Sequence, residues 1–95
     1  NPLHLRNDTG ALFENFMITE RMKWNARHEK SCNAFFWRTH NQQEIDYIEE
    51  AGGSLQAFEF KWKKQKYVPP KVFTNHYPSA SVFCVHRENF DEFLP

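Results

Sequence analysis

Three residues near the middle of the chain have side-chain types that could carry out chemistry on a phosphate group. Asp46 lies on one predicted strand and Glu59 and Lys61 lie on the next, with Gly52–Gly53 between the strands. If the two glycines form a two-residue hairpin loop, Asp46 faces Glu59. Opposed side chains have Cβ atoms about 4.5 to 5.5 Å apart, and like charges there are destabilising. The facing of these two carboxylates is therefore expected to lower stability unless another group offsets the repulsion.

A bound divalent cation could offset the repulsion between Asp46 and Glu59. Mg²⁺ typically takes one or two protein carboxylates together with water and substrate phosphate, and Mn²⁺ could serve in the same way. Lys61 lies two residues beyond Glu59, so it shares a strand face with Glu59 and could orient a water molecule or offset phosphoryl charge. The pattern is typical of metal-dependent phosphodiester hydrolysis.

A purely structural interpretation is also available. In it, Glu44 pairs with Lys61 across the hairpin, and Asp46 and Glu59 are simply solvated, since charged strand faces are common. Both interpretations place an apolar set of side chains on the opposite sheet face: Ile45, Tyr47, Phe58, Phe60 and Trp62.

A helix must precede these strands. Residues 1–4 are expected to be unstructured, Asp8 or Thr9 is a candidate N-cap, and Ala11 to about Asn25 contains no Pro or Gly. The helical period collects the apolar face Phe13, Met17 and Trp24, with Phe16 at its edge. Glu20 falls within this face and is expected to pair with Arg21, Lys23 or a loop donor. Glu14 lies on the flank and could reach towards the acidic pair.

The remaining segments complete the order α-β-β-β-α-β, in which helices can cover a mixed sheet. They are strands at 34–39, 43–50 and 55–62, a turn at 40–42, a helix from 69–70 to about residue 77, a buried strand at 80–85 and a helical turn at 88–94. With 95 residues, the chain is expected to form a single α/β domain of the α+β, mixed-sheet type over residues 1–95.

The order of elements and the residues Glu14, Asp46 and Glu59-Phe60-Lys61 resemble the PD-(D/E)xK nuclease superfamily, although Ile45 stands where that superfamily usually has Pro. Four ordered blocks look more closely like the domain of unknown function at the C-terminal end of predicted bacterial and archaeal AAA-type ATPases. These blocks are residues 10–16, 36–39, 43–46 and 53–61.

The resemblance implies a restriction-endonuclease-like αβββαβ core, with Asp46 and Glu59 as metal ligands, Lys61 as the catalytic lysine and Glu14 as the helix acid. It also implies that the chain is the C-terminal part of a longer ATPase whose N-terminal module binds ATP. No GxxxxGK[ST] motif occurs in the 95 residues, so ATP binding is expected only in that other module. The alternative is a non-catalytic module that binds nucleic acid or the ATPase.

Lysines follow the predicted catalytic strand at positions 61, 63, 64, 66 and 71, in a stretch without acids. These lysines, apart from Lys61, could line a DNA backbone or could form an ordinary solvated loop; they are Lys63, Lys64, Lys66 and Lys71.

The 12 Lys+Arg balance the 12 Asp+Glu, which excludes a uniformly basic nucleic-acid clamp. No segment approaches the roughly 20 apolar residues of a membrane span, so we expect a cytoplasmic domain without a membrane partner.

Overall fold

The computed structural model describes residues 2–95, with side chains described from residue 9 onward. It contains a four-stranded mixed sheet and three helices within these residues, which is an α+β architecture. In chain order the elements are α1 (Pro2–Arg27), β1 (Asn33–Arg38), β2 (Glu44–Ala51), β3 (Ser54–Phe60), α2 (Lys71–His76), β4 (Ser81–Val85) and α3 (Phe90–Phe93).

The sheet has the strand order β1-β2-β3-β4, and its first three strands form an antiparallel meander. The loop between β2 and β3 is the predicted glycine pair, in which Gly52 has φ 59° and Gly53 has φ 83°. Positive φ at both central residues is the requirement of a type I′ hairpin turn, which glycine meets at little cost. The turn closing β1 and β2 spans residues 39–43, where Thr39 N donates to Gln43 O at 2.8 Å.

The chain forms two compact, interleaved units, and we describe each by itself. The helix unit consists of Asn1–Lys30, Phe60–Gln65 and Val85–Pro95; the sheet unit consists of Ser31–Glu59 and Lys66–Cys84. The prediction that residues 1–95 form a single domain stays a prediction.

The core of the sheet unit joins α2 to the sheet. Ile45, Ile48, Ala57 and Phe73 are fully buried. The Phe73 ring of α2 meets Trp37 of β1 edge to face, with ring centroids 5.3 Å apart. Pro70 precedes the first turn of α2, as the sequence predicted, because its fixed φ suits a helix start. One predicted helix therefore covers part of the sheet.

Helix α1 starts earlier than predicted, so the expected unstructured opening and the N-cap at Asp8 or Thr9 are wrong. The helix begins at Pro2 and runs through Gly10 to Arg27. Proline is accepted at the first helical position, and a glycine inside a helix costs only about 1 kcal/mol relative to alanine. A capping residue therefore marks a possible helix start without enforcing it.

The buried face of α1 is also rotated from the predicted one. Phe13 and Met17 are buried as expected, but Phe16 is exposed, and the burial continues through Arg21 and Asn25. These four buried residues follow an i, i+4 ridge along the helix. Glu20 pairs with Lys23 at 3.0 Å, which was one of its predicted partners.

Arg21 is buried because the rest of the helix unit supplies partners for its charge. Its Nη1 donates to the carbonyl oxygen of Phe93 at 2.7 Å. The guanidinium carbon also lies 4.9 Å from the Phe93 ring centroid and 5.1 Å from that of Trp24. A cation between aromatic faces and a helix-end carbonyl is stabilised by both.

Two strands differ from their predicted extent or environment. β3 ends at Phe60, so Lys61 and Trp62 lie beyond the strand, and Trp62 is 40% exposed where a buried position was predicted. β4 is an edge strand with exposed, half-buried and buried positions, and Phe83 on it is exposed. The uninterrupted apolar run at 80–85 therefore does not indicate burial on both faces.

Among the described residues, no helix combines the length and apolar character needed to cross a bilayer.

Candidate functional site

The two predicted metal ligands lie on the hairpin of β2 and β3, just beyond the pairs that define its register. The antiparallel pairs of β2 and β3 run from Ala51–Ser54 through Ile48–Ala57 to Tyr47–Phe58. This register confirms the predicted pairing of Ile48 with Ala57. Asp46 and Glu59 follow this last pair on the two strands. The pairing of β2 with β1 shifts register in the same stretch, from Phe35–Ile48 to Trp37–Ile45, and Ile45 packs in the same core cluster as Ile48, so β2 does not keep the simple alternation that was predicted there.

The surroundings of Tyr67 relate both carboxylates to one phenol. Burial raises the pKa of Tyr67, and the negative charges of Glu59 and Asp46 raise it further, with a smaller effect from Cys84. Glu59 is buried and Asp46 is half-buried. Both carboxylates therefore lie within electrostatic reach of one phenol, in the sheet unit.

Tyr67 and Cys84 were not identified from the sequence as part of this site. Tyr67 lies in the irregular segment before α2, where no periodicity reveals the direction of a side chain. Cys84 lies on β4 two residues after Val82, which packs against the sheet-unit core. A strand period of two would have put Cys84 on the same side as Val82, but only the fold shows which side that is.

Glu44 has a different partner from the one expected in the structural interpretation. Its Oε2 lies 3.1 Å from Nη2 of Arg38, the residue opposite it on β1. Both side chains are about half exposed, so this ion pair contributes less than about 1 kcal/mol. The partner of Glu44 is therefore Arg38, where that interpretation expected Lys61.

Lys61 and Glu14 both belong to the helix unit. Lys61 follows β3 directly, and its backbone N–H donates to the carbonyl oxygen of Val85 at 3.0 Å, which fixes the backbone beside the end of β4. The Lys61 and Glu14 side chains are each half-buried. The four predicted catalytic and metal-binding residues thus divide into two pairs, and the joint action of the two pairs stays a prediction.

The four predicted nucleic-acid-binding lysines are all exposed. Lys63 and Lys64 lie in the irregular segment of the helix unit. Lys66 and Lys71 belong to the sheet unit, and Lys71 is the first residue of α2. Exposure makes each ammonium group available to a phosphate, but it also suits an ordinary solvated surface.

The donor set at Asp46 and Glu59 fits a hard divalent cation. Carboxylate oxygens are the ligands that Mg²⁺ prefers, and this ion keeps several water or phosphate ligands of its own. No group of three or more His, Cys, Asp or Glu residues suited to a metal ion occurs among the described residues.

Comparison with known proteins gives one match. The family model described as Domain of unknown function (DUF4143) matches residues 9–92, which includes Glu14, Asp46, Glu59 and Lys61. No curated protein matches the chain, and no solved structure matches it. Because the family model covers most of the sequence, the chain belongs to the family of domains of unknown function called DUF4143.

Proposed function

We propose that this chain is a nuclease-like domain that hydrolyses DNA phosphodiesters with the help of Mg²⁺ or Mn²⁺. The observation that carries the proposal is that the carboxylates of Glu59 and Asp46, which follow the Tyr47–Phe58 pair of the hairpin, both lie within electrostatic reach of the Tyr67 phenol. Like charges around one phenol are unfavourable to each other, and a bound cation would offset them.

In this proposal, Asp46 and Glu59 hold the cation, which when bound would polarise the phosphate and stabilise the leaving oxygen. The Lys61 ammonium orients a water molecule or offsets charge on the phosphoryl group. The backbone hydrogen bond from Lys61 to Val85 supports this role, because a fixed main chain limits the positions that the side chain can sample. Glu14 is assigned as the additional acid.

The parent protein in this proposal is an AAA-type ATPase, with the present chain at its C-terminal end. ATP binding then belongs to the N-terminal module, which is the proposed partner of this domain in the same chain. The resemblance of the four sequence blocks supports this context.

A cleavage assay tests the proposal. Single-stranded, duplex and branched DNA are incubated with the chain in Mg²⁺ or Mn²⁺ and, as a blank, in EDTA. Asp46→Ala and Lys61→Ala should each lower the cleavage rate by about a hundredfold or more, as loss of a charge-stabilising group does in other enzymes. Glu44→Gln is the matched control, since Glu44 lies on the same strand and is paired with Arg38.

Equal activity of the parent, Asp46→Ala and Lys61→Ala would show that the assigned site is wrong. Absence of metal-dependent cleavage on all three DNA forms would instead favour the second candidate, a non-catalytic module that binds nucleic acid. The exposure of Lys63, Lys64, Lys66 and Lys71 supports that candidate.

A further inference from the structure

Trp62 is exposed in a position where the strand period predicts burial. It follows the end of β3 in the helix unit and keeps 40% of its surface exposed. Tryptophan gains more from burial than most residues, so a position that leaves much of the ring in water forgoes stability. An exposed aromatic ring of this kind is a candidate contact surface.

The exposed ring is held in a fixed place. It meets Phe13 edge to face, with centroids 5.5 Å apart, and Phe13 itself is buried. The Trp62 carbonyl oxygen accepts a hydrogen bond from the backbone N–H of Arg87 at 3.3 Å. A ring that is already anchored loses little conformational entropy when a ligand stacks on it.

One cation lies against this ring, and two more follow it in sequence. The guanidinium carbon of Arg87 lies 5.6 Å from the Trp62 ring centroid, and Lys63 and Lys64 follow Trp62 directly. Segment 60–65 contains no acidic residue. Lys63, Lys64 and Arg87 are all exposed, and none of them forms an ion pair with another side chain of residues 9–95.

We infer that Trp62 stacks on an unpaired base of single-stranded nucleic acid, while Lys63, Lys64 and Arg87 contact the neighbouring phosphates. Every base offers a π-face to an aromatic ring, and a charged margin tracks the backbone without reading sequence. A duplex hides these base faces, so the site favours single strands. The inference rests on the proposed function in taking DNA as the ligand, and deepens it by naming the form of the DNA.

The sheet unit provides a matched control for this site. Phe36 is 66% exposed and lies 5.8 Å from the guanidinium carbon of Arg38, so it is also an exposed ring beside an arginine. Arg38, however, is paired with Glu44, which offsets its charge. Phe36 therefore has the aromatic ring of the proposed site without its surplus of positive charge.

Fluorescence anisotropy of a labelled oligothymidylate of about 15 nucleotides tests the inference. This length is enough for one domain, since a single OB-fold, for example, covers about 4 to 16 nucleotides. The titration is made in EDTA at low salt, with a duplex of equal length for comparison. Trp62→Leu keeps an apolar contact with Phe13 but removes the stacking ring, and should weaken binding about tenfold. Trp62→Phe should lose about threefold or less, because a smaller aromatic ring remains. Phe36→Leu should leave the affinity unchanged.

A second measurement avoids any dependence on packing. Lys63→Gln/Lys64→Gln changes two exposed side chains, and should reduce the slope of log affinity against log salt by about 1.4, since each phosphate contact with a single strand contributes about 0.7. An unchanged slope would overturn the assignment of these lysines. The site would be wrong if Trp62→Leu bound as well as the parent, if duplex and single strand bound equally, or if the oligonucleotide did not bind.

These outcomes are separable from those of the proposed function. The binding titration is made in EDTA, so it measures the Trp62 site without any metal-dependent cleavage. Metal-dependent cleavage without an effect of Trp62→Leu on binding would overturn this inference and leave the proposed function standing. Single-strand binding that depends on Trp62, without any cleavage, would support this inference and overturn the proposed nuclease activity.

Discussion

Two charged positions, one in each unit, illustrate different uses of a buried charge. Arg21 in the helix unit is buried beside a carbonyl oxygen and two aromatic rings, all of which stabilise its positive charge. Glu59 and Asp46 in the sheet unit both lie within electrostatic reach of Tyr67, whose pKa is raised by burial and further by these two negative charges. The first arrangement favours folding, whereas the second places like charges together. The comparison teaches that the helix unit stabilises its buried charge with partners of opposite polarity, whereas the charges around Tyr67 in the sheet unit are of like sign.

Removal of the Arg21 side chain is the strongest way to test the stabilising half of this comparison. Arg21→Ala should lower the free energy of unfolding by about 3 kcal/mol, because the variant loses a charged hydrogen bond to Phe93 O and two cation–π contacts. Denaturant titration measures the change. Arg27→Ala is the control, since Arg27 is exposed on the same helix and should change stability by about 0.5 kcal/mol or less. Equal effects at the two positions would contradict this account of Arg21.

Neutralising one carboxylate should have the opposite sign. Asp46→Asn should raise the free energy of unfolding by about 1 kcal/mol in EDTA, because it removes a like charge near Glu59. Mg²⁺ should then raise the midpoint of thermal unfolding of the parent and have a smaller effect on Asp46→Asn, since a ligand stabilises the state that binds it.

Glu44→Gln is the control for that experiment. It removes the exposed ion pair with Arg38 and should lower stability by less than about 1 kcal/mol. Destabilisation by Asp46→Asn in EDTA would mean that the Asp46 carboxylate is a structural group, and the contrast with Arg21 would then fail.

The raised pKa of Tyr67 gives a pH-dependent test of the same cluster. A folded-state pKa above the unfolded value means that the native phenol holds its proton more tightly. Its contribution to stability is complete below the unfolded pKa of about 10 and is lost as the pH rises through the higher folded pKa. Tyr67→Phe should reduce the loss of stability in that alkaline range. Phenolate absorbance of Asp46→Asn should show a Tyr67 pKa closer to the ordinary value, and an unchanged pKa would show that Asp46 lies too far away.

The smallest expected effect concerns Glu50 at the end of β2. The Asn33 side chain and the backbone N–H of Gly53 donate hydrogen bonds to its carboxylate, which lowers the pKa of Glu50. The resulting stabilisation is present above the ordinary pKa and is lost as the pH falls through the lowered one. Glu50→Gln should therefore flatten the acid limb of the stability curve slightly. Exposure of the group keeps this effect well below that at Asp46.

The sequence predicted the parts of the molecule that depend on local rules. The element order, the turn at 52–53 and the pairing of Ile48 with Ala57 follow from strand alternation and the needs of a type I′ turn. The same rules predict that Asp46 faces Glu59, and this pairing stays a prediction because β2 shifts its register with β1 in that stretch. The nuclease-like core implied by the resemblance goes beyond this, because the α+β architecture alone is common to many folds.

The features that the sequence did not reveal depend on distant partners. Arg21 is buried by a carbonyl 72 positions away in the chain, which no helical period can indicate. Tyr67 lies within electrostatic reach of Glu59 and Asp46, but it belongs to an irregular segment, where the direction of a side chain follows from packing alone. Trp62 continued the apolar alternation of β3 in sequence, but the strand ends two residues before it.

The turn at Gly52 and Gly53 also sets a rule for engineering the chain. A shift of one residue at this turn would change which side chains share a sheet face, and would separate Asp46 from Glu59 without altering either residue. A tag, a crosslinking probe or a circular-permutation site placed there could therefore shift the register of the whole hairpin, including the part that carries Asp46 and Glu59. The five-residue turn at 39–43 joins β1, which carries none of the assigned acids, and is the better place for such an insertion.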